Sequence, residues 1–134
     1  MILIDAGPLV ALLSRDDRHH KECSEAIRGI REPLGTVWPA IAEAMHLLAF
    51  SWDAQDKLWK LLESGSIQIL EIGTEDFPRL RELMRKYRSL PMDLADAGLV
   101  RSAEKFHVSR ILTLDRRDFG VYRARRVGPF TILP

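Results

Sequence analysis

A single cysteine, Cys23, is all the thiol chemistry this 134-residue chain contains. It excludes an intramolecular disulfide and, with no second sulfur at ligand spacing, a cysteine-based metal site, so a small, partly buried thiol is expected. No apolar run approaches the roughly 20 residues of a bilayer span, and the start lacks the basic stretch, long apolar core and small-residue cleavage site of a secretory leader. No membrane partner and a cytoplasmic location are therefore expected. An excess of one charge is missing as well, since 20 Lys and Arg stand against 19 Asp and Glu. The mean charge announces no nucleic-acid partner, and such a partner must be read from where the charges lie. Repeats, linkers and low-complexity blocks are absent. No serine or cysteine stands at a defensible spacing to a histidine for nucleophilic catalysis, and the adjacent His19 and His20 point in different directions with no third ligand near in sequence.

What remains is a chain that is 46% hydrophobic, enough for a single domain over residues 1–134 with one hydrophobic core. The organising stretch is its beginning. Ile2 to Ile4 is a short buried strand that ends at Asp5, and Gly7 and Pro8 lead into a helix whose apolar face is Leu9, Val10, Leu12 and Leu13. The same alternation continues. Helical spacing predicts a second helix over Lys21–Ile30, and Leu34–Trp38 reads as a strand. Pro39 then opens a helix with a stripe of Ile41, Met45, Leu48 and Trp52, followed by another helix over Asp53–Glu63 and a stop at Ser64–Gly65–Ser66. Ile67–Ile72 is the next strand, and Thr74 is the expected cap of a helix over 75–88 that buries Phe77, Leu80, Leu83, Met84 and Tyr87. A helix from Asp93 buries Leu99, Ala103 and Phe106, and Arg110–Leu114 and Phe130–Leu133 close the series of strands. Short strands alternating with longer helices predict an α/β domain with a mainly parallel central sheet.

Four acids share a position in this pattern. Asp5 and Asp115 stand at strand ends, while Glu43 and Asp96 occupy first helical turns. In a parallel α/β domain all four fall on one edge of the sheet, the edge where ligands bind. Each has a plainer reading alone, as a turn, a cap or a carboxylate favoured by a helix dipole. Asp96, amid apolar neighbours, is the one that capping explains least. Together, oxygen donors without sulfur or a histidine set suit Mg²⁺ or Mn²⁺, and a cation relieves their mutual repulsion. Positive charge is local: Arg79 and Arg85 on the helix over 75–88, and Arg116 and Arg117 beside Asp115, are the candidate contacts to phosphate.

Ile-Asp5-Ala-Gly-Pro-Leu, Ala-Ile-Ala-Glu43-Ala, Asp93-Leu-Ala-Asp96-Ala and Thr113-Leu-Asp115-Arg-Arg-Asp118-Phe119, in this order, resemble the acidic elements of the PIN-domain family, in particular the VapC-type ribonuclease toxins. The similarity covers nearly the whole chain. It implies a three-layer α/β/α sandwich and a metal-dependent endoribonuclease that cuts RNA to leave a 5'-phosphate. By the same resemblance Asp5, Glu43, Asp96 and Asp115 hold Mg²⁺, with Mn²⁺ as a substitute, and Thr113 is a hydroxyl residue near the metal. Asp93 and Asp118 are supporting acids, helix caps or loop-fixing groups. The resemblance further implies a homodimer and an antitoxin protein as partner, to which the aromatic and aliphatic surplus at Met45, Leu47, Phe50, Trp52, Trp59 and Leu62 adds an apolar surface. Two other readings differ in class. A phosphatase of the haloacid dehalogenase type needs a second acid two residues after the first, where this chain has Gly7. A non-catalytic nucleic-acid-binding or scaffold protein accounts for the arginines but gives no reason for four acids on one edge.

Overall fold

The computed structural model describes residues 1–134, and its organising feature is where the five strands sit relative to their order in the chain. Strands β1 (Ile2–Ile4), β2 (Leu34–Thr36), β3 (Ile67–Ile69), β4 (Arg110–Leu112) and β5 (Thr131–Leu133) form one sheet in the order β3-β2-β1-β4-β5, with every pairing parallel. From the central β1 the chain moves to one side through β2 and β3, then returns to place β4 and β5 on the other. The segments leaving β1 and β4 therefore diverge, and the crevice between them is the usual ligand position in such a sheet.

Helices cover both faces, giving a three-layer α/β/α sandwich. They are α1 (Ala6–Leu13), α2 (His20–Arg28), α3 (Trp38–Leu47), α4 (Trp52–Glu63), α5 (Phe77–Lys86), α6 (Leu94–Phe106) and α7 (Arg116–Val121). Strand alternation divides the core between the two faces. Leu3 and Ile111 point into a layer with Leu83, Leu99, Phe119 and Tyr122, while Ile2, Ile4 and Leu112 point into one with Leu9, Ile41, Leu48 and Leu58. Helix α3 and its N-cap join them, with Val37 and Ala40 in the first layer and Ile41 and Ala44 in the second. Helix α6 approaches closely because Gly98 has no side chain: a Cβ there would lie 2.9 Å from Ile72 Cδ1 and 3.2 Å from Val37 Cγ2.

Several boundaries differ from the sequence expectation for identifiable reasons. Trp38 does not end β2 but begins α3, after an extended Val37, and it is exposed. Trp52 does not continue the stripe of α3. That helix stops at Leu47, and Ser51 caps a new one by accepting the Ala54 N–H at 3.2 Å, leaving Trp52 exposed at its start. Thr74 lies in a 3-10 turn (Thr74–Asp76) ahead of α5, where the buried Asp76 accepts the Gly73 N–H, and Phe77 and Phe106 are exposed rather than core. Gly65 supplies the left-handed turn after α4 at φ 78°. No helix is long and apolar enough to cross a membrane.

Candidate active site

The acids expected on one edge do share one opening. Asp5, Glu43, Asp93, Asp96, Asp115 and Asp118 line a cavity of about 560 Å³, together with Gly7, Leu90, Pro91 and Leu114, and no Lys or Arg lines it. A larger cavity of about 740 Å³ lies against α2 and β5, but Arg18, Lys21, Glu22, Glu25 and Arg110 line it with both signs of charge. Of these two cavities, only the smaller is lined by charge of one sign.

Each acid is placed by the backbone that precedes it. Asp5 follows β1 and is the N-cap of α1, accepting the Ala6 N–H at 2.8 Å. Asp115 follows β4 on the other side of the divergence and caps α7 by accepting the Asp118 N–H at 3.2 Å. Asp93 caps α6 through the Asp96 N–H at 2.8 Å, which directs the first turn carrying Asp96. Glu43 projects from the exposed side of α3 at the cavity rim. The capping and pocket-lining readings are thus both true of Asp5, Asp93 and Asp115.

Thr113 connects two of these positions. It is fully buried, donates its hydroxyl to Asp5 Oδ2 at 3.0 Å, and accepts the Asp115 N–H at 3.0 Å. Tyr122, also fully buried, donates its hydroxyl to Asp96 Oδ2 at 2.9 Å. Sequence reasoning missed this tyrosine. The only available signal is that a buried phenol seeks a polar partner, and the partner lies 26 residues away.

The electrostatics follow from burial and crowding. Burial raises the Asp5 carboxyl above its ordinary pKa against the pull of its Ala6 and Thr113 hydrogen bonds, and the charges of Asp93 and Asp115 add to the rise. Burial, then the charge of Asp93, pushes Asp96 up to about 7. Partial desolvation at the cavity rim and the charges of Asp5 and Asp93 raise Glu43, and partial desolvation and the charge of Asp115 raise Asp118. These are the signs of carboxylates held close without a counter-charge. As they stand, no three of them form a group that could hold a metal ion. The donor chemistry nevertheless fits Mg²⁺, which takes oxygen ligands, keeps several waters and commonly binds only one or two carboxylates directly.

Residues 2–124 match the sequence profile described as the PIN domain. The chain belongs to the PIN-domain family. This PIN domain resembles VapC-type toxins. Over 135 aligned residues, covering 99% of this chain and 100% of the relative, it is 28% identical to Ribonuclease VapC26 of Mycobacterium tuberculosis. The crystal structure of Mycobacterium tuberculosis VapC20, described as a sarcin-ricin loop cleaving toxin, matches with a TM-score of 0.79 at 13% identity, over 87% of this chain and 92% of that one. A toxin-antitoxin complex from Klebsiella pneumoniae contains a chain matching with a TM-score of 0.70 at 16% identity, over 100% of this chain and 97% of that one. The two structural similarities establish a shared fold.

The arginines expected at phosphate divide. Arg79 is engaged within the protein: its guanidinium donates to Glu104 Oε1 and Oε2 at 3.0 and 2.7 Å and to Glu82 at 2.8 Å, with its side chain 11% exposed. It also sits opposite the far end of α6 from Asp96, about 12 Å along the helix. Arg85 is exposed at the end of α5, and Arg116 and Arg117 are exposed on the first turn of α7, beside Asp115.

Proposed function

We propose that this PIN domain is a Mg²⁺-dependent endoribonuclease, with Mn²⁺ able to substitute, and that residues 1–134 act as one catalytic unit. One observation carries the reading: six carboxylates line a cavity at the topological switch point with no basic side chain among them. Family membership and the VapC26 relative support the same chemistry.

In this reading Asp5, Glu43, Asp96 and Asp115 hold the cation, with Asp5 and Asp96 nearest to it. Bound Mg²⁺ would supply a water of lowered pKa and a Lewis acid for the phosphate oxygen. The protein's own part is positional. Thr113 orients Asp5 and the Asp115 backbone together, Asp93 sets the first turn of α6, and Asp118 lies within the turn that Asp115 caps. Arg85, Arg116 and Arg117 contact RNA phosphates outside the acidic cavity, gripping the chain without reading bases. No side chain is asked to form a covalent intermediate.

Homodimerisation and restraint by an antitoxin complete the proposal. Of the six apolar residues singled out in sequence, Leu47, Phe50, Trp52 and Trp59 are exposed, a concentration of apolar surface that suits a protein partner. The Klebsiella pneumoniae toxin-antitoxin complex supports the antitoxin. The deciding experiment is RNA cleavage with and without divalent metal, repeated with Asp5→Asn and Asp96→Asn. Loss of metal-dependent cleavage in both is expected, and wild-type cleavage by either would remove these residues from the mechanism.

A further inference from the structure

The buried and half-buried acids of this protein are solvated by two different kinds of donor. Asp76, which is fully buried, is paired with Arg101 at 2.8 Å and Lys105 at 2.9 Å, and Glu104 with Arg79 at 2.7 Å. These acids lie away from the cavity and their charges are cancelled. The cavity acids receive neutral donors instead: Asp5 takes the Thr113 hydroxyl and the Ala6 N–H, and Asp96 takes the Tyr122 hydroxyl. A neutral O–H orients a carboxylate while leaving its negative charge in place.

We propose that Tyr122 is a positioning residue of the acidic cavity, its hydroxyl committing Asp96 Oδ2 to the protein so that the other carboxylate oxygen is presented to a divalent cation. The inference rests on the metal-site reading given above. Its geometry is well fixed. The Tyr122 ring stands edge-on to Tyr87, with centroids 5.0 Å apart at 63°, and to Phe119, at 5.0 Å and 79°. A phenol held this way has few directions open to its O–H. The hydroxyl links the segment after α7 to the first turn of α6, so the rotamer of Asp96 is tied to the packing of both. Tyr87 serves as an internal comparison. It belongs to the same buried cluster and its hydroxyl accepts the Arg123 N–H at 3.0 Å, yet it makes no hydrogen bond to an acid of the cavity.

The test is Mn²⁺ binding by calorimetry to wild-type protein, Tyr122→Phe and Tyr87→Phe, with thermal melts of each. Phenylalanine keeps both ring contacts. We expect Tyr122→Phe to lower Mn²⁺ affinity about tenfold or more, in the range typical of groups that orient metal ligands, and Tyr87→Phe to bind as wild type does. Equal affinity in Tyr122→Phe and wild type overturns the inference, as does an equal loss in both variants, which would assign the effect to packing. Absence of Mn²⁺ binding by the wild-type protein would overturn the metal-site reading itself, and this inference with it. A second measurement needs no change at position 122. The chain has 2 tyrosines, so 3-fluorotyrosine labelling gives two fluorine resonances that Tyr87→Phe assigns. Added Mg²⁺ should move the Tyr122 signal with the same half-saturation as binding; movement of the Tyr87 signal alone contradicts the inference.

Discussion

Thr113 donates a hydrogen bond to Asp5 across a separation of 108 residues, and the same oxygen accepts the amide of Asp115. One buried hydroxyl therefore joins the ends of β1 and β4 at the point where the chain diverges. Thr113→Val preserves the shape and removes both bonds, leaving Asp5 Oδ2 without its donor. The expected loss is about 1–3 kcal/mol, the usual cost of an unpaired buried polar group. Urea denaturation measures it, with Thr113→Ser expected to recover most of the loss. An unchanged midpoint in Thr113→Val would show that the hydroxyl couples nothing.

The pH dependence of metal-free protein follows from two sets of acids with opposite signs. Burial and the Asp93 charge raise Asp96 from 3.8 to about 7. Its stabilising contribution is therefore complete below the unfolded value and is lost as pH rises through 7, and Asp5 and Glu43 act in the same direction. Burial also opposes ionisation of Asp76, but its Lys105 and Arg101 hydrogen bonds prevail and lower it to about 2. Its contribution is present above 3.8 and lost as pH falls through 2. Thermal melts in a chelator should therefore peak in mildly acidic buffer and decline toward neutral pH, and Mg²⁺ should flatten that upper decline. A melting temperature that climbs steadily from pH 5 to above pH 7 in chelator would contradict the crowding of these carboxylates.

The strand-acid-helix pattern was legible because it is local: Ile2–Ile4 before Asp5, and Arg110–Leu112 before Asp115, identify themselves by short apolar runs ended by a carboxylate. Parallel topology then follows from alternation alone, and the four acids fall on one edge. Features that depend on distant partners were not legible. Nothing near Arg79 in sequence announces that Glu104 will claim it, and nothing near Tyr122 announces Asp96. Trp52 failed for a different reason. Its spacing from Leu48 continues a helical stripe, but Ser51 offers the backbone a cap, and a cap ends periodicity without altering it.

Glu104 separates structural acids from those of the cavity. Its side chain is 4% exposed, and it accepts from Arg79 and from the Arg125 N–H at 2.7 Å. Glu104→Gln keeps the volume but leaves the Arg79 charge poorly compensated, so a loss of about 3–5 kcal/mol is expected. Mn²⁺ affinity, measured below the lowered melting temperature, should be unchanged. Undiminished stability, or a selective loss of metal binding, would show that the two sets of acids are not independent.

Self-association has a surface to test. Phe50 and Trp52 are 71% and 68% exposed around the turn between α3 and α4. Light scattering over a tenfold concentration range should give a dimer mass, and Phe50→Ser combined with Trp52→Ser should shift it toward monomer. A monomer mass throughout for the unaltered protein would exclude the homodimer and leave the acidic cavity, which one chain supplies, unaffected.

Asp5→Asn is the sharpest test of whether the carboxylates at the switch point use a divalent cation to hydrolyse RNA. The substitution keeps an oxygen able to cap α1 while removing the charge, so folding should survive. Cleavage of an end-labelled single-stranded RNA by purified protein should require Mg²⁺ or Mn²⁺, stop on chelation, and fall at least a hundredfold, on the order of 3 kcal/mol in the barrier, in folded Asp5→Asn. Cleavage by that variant at the wild-type rate, under the same metal and with contaminating nuclease excluded, would show that Asp5 and a cation held by it take no part in the hydrolysis.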